Sequence, residues 1–332
     1  MPPRSRRRSP ARQKVAVFGA SGFVGRRLIP RLEESGHDVV ALTRRPDDYE
    51  GFGTPRYADL DDPASVASAL SDVRAAYHLV HALGTAGFDT RERRHAATLA
   101  TAAEANQLEQ ILFLSGLGRD DHRLSTHLRS RHAVERTLQD GATPVTVLRA
   151  GIVIGAGSAG WEILRQTTEL LPLVVTDPRA RTRHQPIAAD DAVGYLVDAL
   201  DHPGCRNEVF DIGGADVLRY RDMVRRLAKL TRRFRPRLEV LWLPGVLTGT
   251  AIGLITDVDS RTARDLLGSI GNETIMTDQR IHDVLPRTVL GFDDAARLAL
   301  AETIGSNSPT AWMQAGIARV LGPLLGAEGD GM

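Results

Sequence analysis

The stretch Lys14-Val15-Ala16-Val17-Phe18-Gly19-Ala20-Ser21-Gly22-Phe23-Val24-Gly25 constrains this chain more than any other. A short apolar run passes straight into three glycines spaced three apart. A segment with the apolar spacing of a helix, residues 23–34, follows at once. In such a strand–turn–helix, Gly19 makes the tight turn, Gly22 lets backbone approach a pyrophosphate, and Gly25 lets the helix pack on the strand. Amides at the helix start then receive the phosphates, with Ser21, Phe23 and Val24 part of the same cradle. The spacing predicts a fold that opens on a dinucleotide-binding βαβ unit at about residue 14.

Two kinds of segment alternate after that loop. Apolar runs at residues 39–43, 75–80, 111–115 and 145–149 read as strands, and helical spacing marks residues 63–70, 90–105 and 126–139. Continuous apolar runs such as Ile111-Leu112-Phe113-Leu114 suit strands covered on both faces. The expected class is α/β, a doubly wound parallel sheet. After about Gly155 the alternation loosens. The expected organisation is therefore a basic tail over 1–13, a nucleotide-binding domain over 14–155 and a smaller, interleaved C-terminal lobe over 156–332.

Composition excludes several classes of function. The single cysteine, Cys205, rules out a disulfide framework and any cysteine-built zinc or iron–sulfur site, and suits a reducing cytoplasm. No histidine–carboxylate cluster has metal-ligand spacing, so no metal is expected. The net charge of +1 favours no particular partner, and no base-reading motif points to nucleic acid. The tail, with Arg4, Arg6, Arg7, Arg8 and Arg12, is too polar to order itself and lacks the apolar core of a secretory signal. Residues 240–256 are largely apolar. Pro244, Gly245, Gly249 and Gly253 interrupt them, and they fall short of the ~20 residues a spanning helix needs. No membrane span is expected, and peripheral association stays open.

With its flanking residues, the glycine pattern resembles that of the extended and atypical short-chain dehydrogenase/reductases, and the resemblance runs through most of the chain. The stretches Leu254-Ile255-Thr256-Asp257-Val258 and Asn272-Glu273 resemble a bacterial group of these proteins. That group is related to the nitrogen-regulator-like (NmrA-like) proteins and to the dehydrogenase-like accessory subunit of respiratory complex I. The resemblance implies a Rossmann-type domain that holds a nicotinamide dinucleotide. Arg44 and Arg45 follow the second strand, where an NAD site usually carries an acid, so NADP(H) is the expected preference and NAD(H) remains possible. Asp59-Leu60 falls where the family places an aspartate beside the adenine, and Asp59 serves a turn equally well.

The family's catalytic tyrosine and lysine, four residues apart on one helix face, fall at His127 and Arg131 here. Ser115 resembles the serine that orients the substrate carbonyl. Histidine transfers protons near neutral pH, whereas arginine holds a ribose or phosphate without exchanging its own. His81, after the fourth strand, falls where family members run past the cofactor ribose. Arg183, in the basic run 179–183, is a candidate for an anionic substrate, and a solvated face is the other reading.

Two functions compete. One is an NADP(H)-dependent oxidoreductase acting on a small carbonyl or enone. The other is a non-catalytic NAD(P)H-sensing regulator or assembly protein, which the loss of the tyrosine–lysine pair favours. The expected partners are accordingly a small-molecule substrate or another protein, with the chain a monomer or homodimer. Residues 309–325, apolar at roughly helical spacing, read as a docking helix.

Overall fold

The strand β1 (Lys14–Phe18) buries Val15, Ala16, Val17 and Phe18 alike, as an unbroken apolar run does when both faces of a sheet are covered. Val15 and Val17 join one hydrophobic core, and Ala16 and Phe18 the other, by the two-residue alternation of a strand. The computed structural model describes residues 14–119, 124–171, 173–176, 178–240, 256 and 258–305. The basic tail, nearly all of the apolar segment 240–256 and the stretch 309–325 lie outside them.

Six more strands run parallel to β1: β2 (Asp38–Thr43), β3 (Thr54–Tyr57), β4 (Ala75–His78), β5 (Gln110–Gly116), β6 (Val145–Ala150) and, later in the chain, β11 (Val209–Ile212). Their order across the sheet is β11-β6-β5-β4-β1-β2-β3. The chain builds outward from β1 through β2 to β3, then returns to place β4 on the other side of β1. This is the doubly wound, Rossmann-type sheet, and its switch point lies between β1 and β4, where such sheets take ligands at the strand C-termini. The edge strand β3 had no apolar run to announce it: its four residues are exposed or half-buried and include Pro55.

Helices α1 (Phe23–Glu34) and α6 (Ala189–Asp201) cover one face through Leu28, Ile29, Leu32, Leu196 and Leu200. The other face carries α2 (Pro63–Ala69), α3 (Phe88–Ala105) and α4 (Thr126–Gln139), with Val66, Leu99, Val134 and Leu138 in the core. The remaining elements form a lobe: β7 (Val153–Ile154), α5 (Ala159–Leu170), β8 (Val174–Thr176), β9 (Arg183–His184), β10 (Ile187–Ala188), β12 (Leu218–Arg219), α7 (Tyr220–Leu230), β13 (Arg237–Glu239), α8 (Ser260–Ser269), α9 (Ile281–Val284) and α10 (Phe292–Gly305). Trp161, Leu164, Met223, Leu227 and Phe292 give the lobe its own core. Its helix α8 packs on both α4 and α5, which brings the lobe over the C-terminal edge of the sheet. Among the described residues no helix is long and apolar enough to cross a membrane.

Candidate functional site

The loop from β1 to α1 needs glycine at two positions for steric reasons and crowds the third less. Gly19 has φ +86°, and an added Cβ would lie 2.9 Å from the Leu79 carbonyl carbon. At Gly25 an added Cβ would meet the Gly19 oxygen at 2.3 Å, so glycine lets α1 lie against the turn. At Gly22 the corresponding contact is 3.1 Å to the Gly19 oxygen, with nothing else within 4 Å. Gly22 is the N-cap of α1, gives no side-chain cap, and no acid occupies the first turn. The leading amides of α1 thus lack a side-chain acceptor, and bare backbone at Gly22 suits the approach of a pyrophosphate. Ser21 is exposed on this loop, while Phe23 and Val24 form part of a cavity wall.

Arg44 and Arg45 follow β2, the neighbour of β1, and both are exposed. The Arg45 amide donates to Thr43 Oγ1 at 3.2 Å. Asp59 serves a turn: its Oδ1 accepts the Asp61 amide at 3.0 Å, and its own amide donates to Ser65 Oγ at 3.0 Å. Leu60 is buried in the core.

A cavity of about 290 Å³ lies beside the glycine loop. Its walls come from the start of α1 (Phe23, Val24), the ends of β4, β5 and β6 (His81, Leu117, Gly151), α4 (His127, Leu128), α5 (Ile163) and α8 (Leu266, Leu267). His184, Tyr220, Ser269 and Thr274 add polar groups to walls that are otherwise largely apolar. Burial raises the pKa of the Tyr220 phenol, which keeps it a hydrogen-bond donor.

A buried carboxylate organises one side of this cavity. Glu92 of α3, 2 % exposed, has Oε1 2.5 Å from His81 Nδ1, and Oε1 also accepts the Ala82 amide at 2.9 Å. Its Oε2 accepts Ser130 Oγ at 2.6 Å, and Arg131 Nη1 stands 4.0 Å from Oε1. Burial alone would raise the pKa of Glu92. The hydrogen bond from His81, the Arg131 charge and the Ser130 hydroxyl outweigh it and hold the carboxyl well below its usual range. An ionised carboxylate only accepts, so Nδ1 of His81 is the donor and Nε2 is the nitrogen left for the cavity. The His127 ring stacks on His81 with centroids 5.1 Å apart. Burial, with the neighbouring His81 and Arg131, pushes the His127 pKa down to about 3 and keeps that ring neutral.

Ser115, His127 and Arg131, the three positions matched to the family's catalytic residues, are placed differently from one another. Arg131 is buried, donates to the Leu114 carbonyl at 2.5 Å and lies 4.4 Å over the Phe113 ring. Ser115 is buried two residues short of Leu117, which reaches the cavity. Only His127 lines the cavity. Yet Ser115 Oγ, His127 Nδ1 and Arg131 Nη1 are all buried without a hydrogen-bond partner among the described residues. The orphaned nitrogen on His127, the one of the three residues that lines the cavity, fits a polar ligand that would satisfy it. Arg183 lies outside the cavity wall, on β9, with its Nε 2.8 Å from Glu273; its neighbour His184 is the residue that faces in. Sequence reasoning missed Glu92, Ser130, His184 and Tyr220.

Comparisons with known proteins agree with the fold and with nucleotide binding. Residues 19–202 match a family described as NAD(P)H-binding. The mitochondrial NADH dehydrogenase [ubiquinone] 1 alpha subcomplex subunit 9 of Arabidopsis thaliana is 25% identical over 69% of this chain, and the match spans 60% of that protein's own length. A ceramide reductase of Caulobacter vibrioides is 29% identical over 73% of this chain and 78% of its own. Among solved structures, an NADPH-dependent quinone oxidoreductase from Escherichia coli, complexed with NADPH, superposes with a TM-score of 0.69 at 17% identity, covering 85% of this chain and 98% of the other.

Proposed function

Because the chain belongs to the NAD(P)H-binding family of atypical short-chain dehydrogenase/reductases, we propose that it is an NADP(H)-dependent oxidoreductase acting on a small, largely apolar carbonyl or enone. The observation that carries this reading is the cavity at the strand ends, walled on one side by Phe23 and Val24 just after the glycine loop and on another by His81, which Glu92 holds. A reductase and a quinone oxidoreductase among the similar proteins fit the same direction of chemistry.

The residues divide the work as follows. Gly19, Gly22, Gly25 and the start of α1 hold the pyrophosphate, and Arg44 and Arg45 pair with a 2′-phosphate. When bound, the reduced nicotinamide supplies a hydride to the substrate carbon. His81 gives a proton from Nε2 to the carbonyl oxygen, and Glu92, a positioning residue, fixes the ring and stabilises the imidazolium. His127, held neutral, packs beside His81 and gives a hydrogen bond rather than a proton. Tyr220 donates to the substrate oxygen from the lobe.

Calorimetric titration with NADPH, NADH and their oxidised forms tests the first half of the reading, followed by a screen of apolar carbonyl and enone compounds for NADPH oxidation. Binding of NADPH well ahead of NADH, with turnover that depends on His81, supports it. A second reading, a dinucleotide-binding regulator or assembly protein without turnover, is favoured by Arg131, whose guanidinium is engaged with Leu114 and Phe113 beneath the site. Tight NADPH binding with no turnover across the screen would select that one.

A further inference from the structure

The strongest feature outside the cavity is a basic and apolar corner where α7 meets β13. Between residues 220 and 235 the chain carries seven cations against one acid, Asp222. Helix α7 buries Met223, Val224, Leu227 and Ala228 and leaves the cations on its outer side. The carboxylates nearby are taken: Asp222 by Arg225 at 3.4 Å, Asp216 by Arg226 at 3.2 Å and Glu169 by Arg165 at 2.6 Å. Lys229, Arg232 and Arg233 are exposed, and among the described residues none of the three is in an ion pair.

The backbone holds this corner in a fixed shape. Arg232 closes α7 at φ 53°, a left-handed position where glycine is the ordinary choice, and its amide donates to the Lys229 carbonyl at 3.1 Å. A long cation kept where glycine fits best points to use of its charge. Arg235 then turns back: its Nε and Nη2 donate to the carbonyls of Thr168 and Glu169 at the end of α5, each at 2.7 Å, and Nη1 holds the Phe234 carbonyl at 3.0 Å. With its backbone clamped, Phe234 presents its ring 86 % exposed. Leu173, just before β8, and Leu238 of its parallel partner β13 add to it, so three of the seven exposed large hydrophobic side chains among the described residues fall on this one corner.

We infer that the corner formed by Lys229, Arg232, Arg233, Phe234, Leu173 and Leu238 docks on the surface of an anionic lipid bilayer. The three cations meet the headgroups, and the clamped phenyl ring and two leucines enter the acyl boundary. Charge complementarity selects an anionic surface, and the exposed aliphatic pair, which phosphates would leave in water, selects a bilayer over a nucleic acid; a single strand would also call for aromatic stacking platforms that leucine does not provide. Helix α5 links this corner to the cavity: its last turns hold Arg235, while Ile163, Gly160 and Ala159 line the cavity wall roughly 9–15 Å back along the axis.

Co-sedimentation of the full chain with phosphatidylcholine vesicles, with and without phosphatidylglycerol, tests the inference without reference to turnover. Binding is expected only with phosphatidylglycerol and should weaken as salt rises. Phe234→Ser should lower the partition coefficient at least about tenfold, and each of Lys229→Gln, Arg232→Gln and Arg233→Gln about fivefold. Phe52→Ser, which alters another exposed aromatic, should leave binding unchanged. The melting temperature of each variant checks that it folds. The inference is overturned by absence of binding to either vesicle, by equal losses in the Phe234 and Phe52 variants, or by binding to a single-stranded oligonucleotide in place of vesicles.

Discussion

Nδ1 of His81 lies 2.5 Å from Oε1 of Glu92, so a loop histidine at the end of β4 is fastened to a buried carboxylate on α3. The same carboxylate stands 4.0 Å from the guanidinium of Arg131, itself 5 % exposed. Removing Glu92 would therefore leave a buried cation with only the charge of Glu135, which Arg149 already pairs. Glu92→Ala should destabilise the fold by about 3–5 kcal/mol in urea denaturation. A loss below ~1 kcal/mol, the range of surface pairs, would mean that Arg131 does not depend on this carboxylate.

The same contact sets the expected pH behaviour of the reaction. Burial, with the Arg131 charge, lowers the His81 pKa below that of an ordinary histidine, while Glu92 opposes the shift. The neutral ring therefore predominates at neutral pH, and reductive turnover should rise as pH falls through and below about 6.5. His81→Asn should lower kcat by roughly 10²–10⁴-fold and flatten that rise. His127→Phe, which changes a ring already neutral, should leave the pH profile in place. A profile that moves with His127 and not with His81 would reverse the two roles.

Glycine substitutions separate binding from folding in the phosphate loop. Gly22→Asp sets a Cβ 3.1 Å from the Gly19 oxygen, so the loop must give by a few tenths of an ångström, and it places a carboxylate where the pyrophosphate would sit; NADPH binding should be abolished in calorimetry with only a small fall in melting temperature. Gly25→Ala puts a methyl group 2.3 Å from the Gly19 oxygen and forces α1 away. It should cost stability of about 1–3 kcal/mol as well as affinity. Unchanged NADPH affinity in Gly22→Asp would move the dinucleotide away from this loop.

Preference for the phosphorylated cofactor rests on Arg44 and Arg45. Both are exposed beyond β2, so their replacement should not disturb the core. Arg44→Ala and Arg45→Ala should each weaken NADPH by ~1.5–3 kcal/mol, the worth of a charged hydrogen bond, and spare NADH. Equal loss for both cofactors would assign the arginines to the shared part of the dinucleotide.

The sheet and its phosphate loop were legible because their signals are local. An apolar run, three spaced glycines and a helical period lie next to each other between Lys14 and Glu34. Glu92 was hidden for the opposite reason. Within Asp89-Thr90-Arg91-Glu92-Arg93-Arg94 it reads as one charge on a solvated face, and only the packing of α3 on α4 buries it with His95, Ala96 and Leu99. His184, Tyr220 and the α8 residues Leu266 and Leu267 reach the cavity from far along the chain, and no spacing within their own segments announces that. Arg183 stood out as the chemically obvious member of its basic run. In a strand its side chain and that of His184 must point to opposite faces, so exposure of Arg183 goes with burial of His184.

Two more buried histidines join His127 in making the fold sensitive to mild acid. Burial, with the Arg131 charge, pushes the His78 pKa down to about 3, and burial pushes that of His184 down to about 4. In the unfolded chain both titrate near 6.5. Between those values the unfolded state binds protons that the folded state refuses, so stability is full above about pH 6.5 and falls as pH drops towards 4. Each group should contribute a loss of up to about 2 kcal/mol by about pH 5. His78→Phe keeps a ring against Phe113, on which His78 stacks at 5.7 Å, and removes one of these titrations. Urea midpoints measured at pH 7 and pH 5 should therefore differ less in His78→Phe than in the native chain. An undiminished pH dependence in that variant would show that His78 is protonated as readily in the folded state as in the unfolded one.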